Sequence, residues 1–295
     1  MADGPLFERV ALIGIGLIGS SVARRVKRDG LARSIVCCAK SERSRKTALA
    51  LGIVDEAYAR AEDCVAGADL VMLCSPLGTY AALAEAIAPH LRKGAILTDV
   101  GSVKEQAIAH VAPHVPAGVH FVPGHPVAGT EHSGPEAGFP ELFDGRWCIL
   151  TPPAGTDEAA IERLAQFWRR AGMNIERMNA KHHDIVLAIT SHLPHLIAYC
   201  IVGTATHLEE LTNTEVIKFA AGGFRDFTRI AASDPVMWRD VFLDNREAVL
   251  EMLGRFSEDL TALQRMVRYA QGDKLEDWFT RTRTVRRGLI EAKQA

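Results

Sequence analysis

The segment GHPVAGTEHSG, residues 124–134, places His125 between a glycine and a proline and follows it with further glycines and Glu131. Imidazole titrates nearest neutrality, so a histidine can take a proton from a hydroxyl at physiological pH. Neighbouring glycines let a backbone approach a ligand closely. Other polar side chains fall at the ends of apolar runs: Ser75 after LVMLC, and Asp99 and Ser102 in TDVGSVK. Position alone leaves His125 equally well read as a solvated loop histidine.

His192 and His195 are spaced i, i+3, and His182 adjoins His183, which raises a metal site. No third ligand falls at a recognisable spacing, so no metal is expected. The six cysteines, Cys37, Cys38, Cys64, Cys74, Cys148 and Cys200, form no CxxC pair and read as reduced thiols.

VALIGIGLIGSSVARRV carries Gly14, Gly16 and Gly19 as GxGxxG, after an apolar run and before a helical pattern. In such a turn Gly14 allows the tight bend, Gly16 lets the backbone meet a pyrophosphate, and Gly19 lets helix and strand pack. Leu17 and Ile18 open the helix, whose first amide groups face the phosphates. The next strand, SIVCCAK, ends in Ala39 where an acid would hold the ribose hydroxyls of NAD, and Lys40, Ser41 and Arg43 follow. Those groups suit a 2′-phosphate, so NAD or NADP is expected, with a mild lean to NADP.

Positioning these groups requires a sheet with crossover helices. Apolar strands are expected at 10–15, 35–39, 70–74, 95–98, 119–122, 147–151 and 174–178, with helices at 20–29, 42–51, 79–91, 103–111 and 157–171. Near residue 180 helical spacing takes over. The expected architecture is an α/β Rossmann-type dinucleotide-binding domain, 1–179, followed by an all-α substrate and dimerisation domain, 180–295. Within the latter, Asp234 caps and Pro235 opens an apolar stripe through Trp238, Phe242, Val249, Met252, Phe256, Leu260, Leu263 and Val267, broken only by Asn245. It predicts one helix of about nine turns, roughly 50 Å long, buried against a second subunit.

With 34 basic and 36 acidic residues the net charge is −2, which gives no reason to expect nucleic acid or a charged membrane surface. No apolar run approaches the roughly 20 residues of a membrane span, and the N-terminus lacks a signal peptide's basic region. A cytoplasmic homodimer acting on a small molecule is expected.

GHPVAGTEHSG, DVGSVK, SHLPHLIAY and GGFRDFTRIAASDPVMW together resemble the prephenate and arogenate dehydrogenase family, also called cyclohexadienyl dehydrogenases, over nearly the whole chain. The resemblance implies oxidative decarboxylation of prephenate or L-arogenate, with hydride passed to a nicotinamide cofactor. It implies that His125 takes the hydrogen bond of the ring hydroxyl, that Ser102 orients that hydroxyl, and that Arg229 binds a substrate carboxylate. It places His195, Glu131 and Trp238 beside the substrate; Ser75 and Asp99 are expected at the cofactor end from their own position after the strands, where ligands of such sheets bind. Two departures stand out: the acid usual at Ala39 is missing, and no regulatory or mutase domain follows. L-Tyrosine is therefore expected to inhibit at the active site. Two other classes remain open. A β-hydroxyacid dehydrogenase would need a catalytic lysine early in the helical region, where Lys181 is the candidate; a non-catalytic nucleotide-sensing dimer would need no acid–base group.

Overall fold

The second halves of the first two strands, residues 10–13 and 35–38, are apolar and buried without interruption because a parallel sheet is covered by helices on both faces. The structure, a computed structural model, describes residues 4–212 and 222–291. Six strands form one parallel sheet: β1 (Phe7–Ile13), β2 (Ala32–Cys38), β3 (Glu56–Tyr58), β4 (Leu70–Leu73), β5 (Ile96–Asp99) and β6 (His120–Phe121), in the order β3-β2-β1-β4-β5-β6. Alternation along each strand separates two cores. Val10, Leu12, Ile35, Cys37, Leu70 and Met72 join one, and Ala11, Ile13, Val36, Val71 and Leu73 the other. The helices of this part are α1 (Leu17–Asp29), α2 (Glu42–Ala50), α3 (Ala61–Val65), α4 (Tyr80–Ile87), α5 (Lys104–Val111) and α6 (Glu158–Arg170). The strand order reverses between β1 and β4, and such a reversal opens a crevice beyond the carboxyl ends of the strands.

Two expectations are corrected. The strands after β6 do not extend the parallel sheet: β7 (Gly124–Pro126), β8 (Trp147–Leu150) and β9 (Asn174–Arg177) make a separate three-stranded sheet in which β7 and β8 run antiparallel. His125 therefore lies on a short strand, opposite Ile149, and not in a free loop. The long helix expected from Asp234 is two helices. Asp234 does cap, its Oδ1 accepting from Val236 and Met237 N at 2.9 Å. The helix then stops at Asp244, with Asn245 at φ −106°, ψ 32°. The cause is the Asn245 side chain, which hydrogen-bonds to the Asp184 carbonyl at 2.8 Å and to His192 Nδ1 at 3.0 Å.

The helical region comprises α7 (Ala180–Leu187), a π-helical turn (Ala188–His192), α8 (Leu193–Thr212), α9 (Gly222–Thr228), α10 (Pro235–Asp244), α11 (Arg246–Arg268) and α12 (Gly272–Glu291). Pro194 lacks an amide hydrogen, and the π turn that ends at His192, one turn's reach before it, is the local irregularity that such a residue favours. The stretch Ala180–Thr206 is, with mean hydropathy 1.8, long and apolar enough to cross a membrane, which corrects the expectation that no run approaches that length. It carries the buried polar side chains His183, Asp184 and His192. The chain forms two compact units, dividing between Arg246 and Glu247, well inside the stretch that its sequence pattern groups together.

Candidate active site

The cofactor end follows from three glycines. Gly14 has φ +108°, and a Cβ there would lie 2.6 Å from the Cys74 carbonyl oxygen; one on Gly19 would lie 2.4 Å from the Gly14 carbonyl oxygen. Both contacts are closer than real Cβ atoms allow, so β1, β4 and α1 approach only because these residues lack side chains. A Cβ at Gly16 would meet nothing within 4 Å, which leaves open space in front of the α1 N-terminus. No acid stands in that first turn, where Leu17 and Ile18 lie half-buried. Open space beside unopposed amide groups fits a pyrophosphate.

Beyond β2, Ala39 is half-buried and Lys40, Ser41 and Arg43 are exposed. Ser41 is already engaged as the N-cap of α2, accepting from Ser44 N at 3.4 Å. Arg45, missed from the sequence, donates to the carbonyls of Ala39 at 2.6 Å and Lys40 at 2.9 Å. Its position one turn into a basic helix directly after β2 is the signal that could have found it. Ser75 bonds Thr79 through their hydroxyls at 2.8 Å.

Asp99 is fully buried at the end of β5 and is enclosed by its partners. It pairs with the equally buried Lys104 ammonium and accepts from Gly101 N at 2.8 Å and Gly124 N at 3.2 Å. Lys104 Nζ also donates to Gly124 O at 2.8 Å. This pair therefore grips the backbone residue preceding His125 from both its amide and its carbonyl.

His125 is buried, and its Nδ1 lies 2.8 Å from His183 Nε2; His183 Nδ1 lies 2.7 Å from Asp184 Oδ1. Asp184 in turn accepts from the backbone N of Lys104 at 2.8 Å and of Glu105 at 2.9 Å, at the start of α5. Burial holds His125 well below the ordinary histidine range, with His183, Lys104 and His192 acting in the same direction. Burial also lowers His183, against the opposing pull of Asp184, and pushes His192 down to about 4. All three rings are neutral near pH 7.

His195 stacks on Trp238 with ring centroids 3.6 Å apart, its Nδ1 bonded to Ser191 O at 2.9 Å. Burial lowers its pKa, against the Ser191 carbonyl. Trp238 Nε1 and His192 Nε2 are buried without a well-formed hydrogen bond; the nearby Ser102 backbone favours the protonated His192 ring. Ser102 itself is half-buried just before α5. Arg229 Nη1 and Glu131 Oε2 pair at 2.9 Å across an exposed gap. The structure thus joins His125 to the end of β5 and His195 to Trp238, and it pairs Arg229 with Glu131. Among the described residues no group of three or more metal-binding side chains assembles. Asp184 carried no signal in the sequence; His183 stood out only as half of an adjacent histidine pair, Lys104 only as the last residue of the DVGSVK motif, and Asn245 only as the polar interruption of an apolar stripe.

A neutral buried imidazole, a guanidinium held by one exchangeable carboxylate and an open phosphate cradle suit oxidation of a hydroxyl in an anionic substrate. The profile described as "Prephenate dehydrogenase, nucleotide-binding domain" matches residues 22–177, and "Prephenate dehydrogenase, dimerization domain" matches 179–281. The chain belongs to the prephenate dehydrogenase family. It is 42% identical to the cyclohexadienyl dehydrogenase of Zymomonas mobilis over 96% of its own length and 97% of that protein's. Among solved structures it is similar to prephenate dehydrogenase from A. aeolicus in complex with hydroxyphenyl propionate and NAD+, at 34% identity and TM-score 0.89, covering 96% of this chain and 98% of that one. It is also similar to Synechocystis arogenate dehydrogenase, at 27% identity and TM-score 0.76, covering 95% and 99%. The motifs that carried the resemblance thus sit within a prephenate dehydrogenase fold, with the nucleotide-binding profile ending just before α7.

Proposed function

We propose that this protein catalyses the oxidative decarboxylation of prephenate, L-arogenate or both, in tyrosine biosynthesis. The observation that carries it is a neutral, buried His125 fixed beside the end of β5, in a chain of this family. Bound NAD or NADP would supply the hydride acceptor, its pyrophosphate held at Gly14, Gly16 and Gly19. His125 takes the proton of the C4 hydroxyl as hydride leaves C4 and the oxygen becomes a carbonyl. Ser102 orients that hydroxyl. The bond from C1 to its carboxylate then breaks; its electrons flow through the ring to the C4 oxygen, carbon dioxide departs, and that oxygen recovers the proton from His125. The proton is thus lent and returned, a role for which a weakly basic imidazole is suited. Arg229 binds a substrate carboxylate in a two-pronged geometry once Glu131 releases it, with Glu131, His195 and Trp238 beside the ligand.

For the cofactor we favour NADP mildly over NAD: Ala39 offers no acceptor to ribose hydroxyls, and Lys40, Arg43 and Arg45, with Ser41, surround the end of β2. The substrate and dimerisation domain begins near residue 180 in this reading, and the enzyme works in the cytoplasm as a homodimer through its helical region. L-Tyrosine, which shares the substrate's ring and carboxylate, competes at the same cleft. Lys181 is exposed in the first turn of α7, which gives a lysine-based β-hydroxyacid dehydrogenase no support. The test is absorbance at 340 nm with prephenate, L-arogenate and a panel of 3-hydroxyacids, each with NAD and NADP. Reduction with a 3-hydroxyacid alone, or with none, overturns the proposal, and tyrosine inhibition undiminished at saturating prephenate overturns the shared site.

A further inference from the structure

We infer that His183 and Asp184 are positioning residues that fix the tautomer of His125, leaving its Nε2 as the only nitrogen able to accept the substrate's proton. The inference rests on the reading of His125 as the base. Asp184 uses both carboxylate oxygens as acceptors for the α5 amides of Lys104 and Glu105. In the 2.7 Å contact with Asp184 Oδ1, His183 Nδ1 must therefore be the donor. A neutral His183 then has its lone pair on Nε2. Across the 2.8 Å contact the hydrogen must come from His125 Nδ1, and neutral His125 keeps its remaining lone pair on Nε2.

Three elements hold this chain of bonds rigid. His183 and Asp184 lie on α7, whose first turn is capped by Asn179 accepting from His182 N at 2.8 Å. The Asn245 amide holds the Asp184 carbonyl from α10's end, and Asp184 ties α7 to the start of α5. His183 is fully buried and Asp184 nearly so, so water does not compete for these bonds. The electrostatics suit a proton that is lent and returned. Lys104 disfavours imidazolium at His125, while Asp184 makes His183 more basic and so strengthens its acceptance of the His125 hydrogen; His183 and His192 are neutral, and Asp99 is paired with Lys104.

The experiment combines ring ¹⁵N NMR of the whole protein with kinetics of Asp184→Asn and His183→Phe. The His125 signals, identified by their loss in His125→Asn, should show an Nδ1–H tautomer in the wild type without any ligand. In Asp184→Asn the amide NH2 can donate to His183, which reverses both tautomers and puts hydrogen on His125 Nε2. We expect kcat to fall by about 10²- to 10⁴-fold in both variants, as when a histidine base loses its orienting carboxylate, with KM and cofactor affinity nearly unchanged. Residual activity in Asp184→Asn should have its acid limb at lower pH, because His183 no longer accepts the His125 hydrogen; a merely structural loss leaves the limb in place. Should Asp184→Asn fail to fold, His183→Phe decides, since it leaves the α5 amide bonds intact. An Nε2–H tautomer in the wild type, or kcat retained in His183→Phe, overturns the inference. Absence of any prephenate or arogenate dehydrogenase activity in the wild type overturns the function and leaves the NMR result standing.

Discussion

Replacing Lys104 by Met tests whether Asp99 is a structural anion or a cofactor ligand. Both side chains have 0% exposure, and the ammonium is the cation that offsets the Asp99 carboxylate. Methionine keeps the length and apolar stem but leaves a buried carboxylate with no cation beside it, held by the amides of Gly101 and Gly124 and facing the buried Tyr80 hydroxyl. Breaking a buried pair from one side costs about 3–5 kcal/mol, whereas replacing both partners by apolar groups is often neutral. For a cooperative unit the size of the one ending at Arg246, about 2–4 °C per kcal/mol gives a fall of roughly 6–20 °C in the melting midpoint. Adding Asp99→Leu to Lys104→Met should restore most of that loss. Thermal unfolding followed by circular dichroism measures the stability, and quenching or enhancement of bound NADH and NADPH fluorescence measures cofactor affinity. If Asp99→Asn melts like the wild type while cofactor affinity falls more than tenfold, Asp99 contacts the cofactor and the argument from burial is wrong. Lys104→Met carries a second signature. Its positive charge lowers the His125 pKa, so its removal raises that pKa, and the acid limb of any remaining activity should move to higher pH.

His125→Asn should lower kcat by about two to four decades while cofactor binding persists, since general-base contributions are of that size; unchanged turnover removes His125 from the mechanism. Because the folded His125 pKa lies well below the ordinary value of 6.5, the neutral base is present above that lowered value, and wild-type kcat/KM should stay flat as pH falls through 6.5; an acid limb centred at 6.5 contradicts it. Arg229→Ala should raise KM at least tenfold, about 1.4 kcal/mol, with Arg229→Lys recovering little, while Glu131→Gln, which releases the 2.9 Å pair, changes substrate affinity without altering cofactor affinity. A normal KM in Arg229→Ala moves the carboxylate site, with Arg225, exposed and paired with Asp226, the next to test. Ala39→Asp should shift preference toward NAD and Arg45→Ala should weaken NADP selectively; a wild type that strongly prefers NAD, unmoved by either change, refutes the charge argument at the end of β2.

What could be read from the sequence followed from local chemistry. GxGxxG after an apolar run is a local device, and the backbone contacts at Gly14 and Gly19 show why only glycine serves there. The strands of the parallel sheet were legible because continuous apolar runs need cover on both faces, and Asp234-Pro235 announced a helix start by itself. β7 was not legible: Gly-His-Pro is a poor strand sequence, and its pairing is decided by β8, more than twenty residues away. The same is true of the groups around His125. Lys104 and Asp99 are close in sequence and share a motif, yet their work is on Gly124; His183 and Asp184 reach His125 only because α7 packs where α5 begins.

Asn245 joins these points. Read along one helix it is a polar residue spoiling an apolar stripe, and periodicity alone treats it as an exception to be tolerated. In three dimensions its amide is buried, and buried amides need partners. It finds the Asp184 carbonyl and His192 Nδ1, and the helix ends there. The interruption that falsified the nine-turn helix therefore anchors α7, and through Asp184 and His183 it steadies the nitrogen on which the chemistry depends.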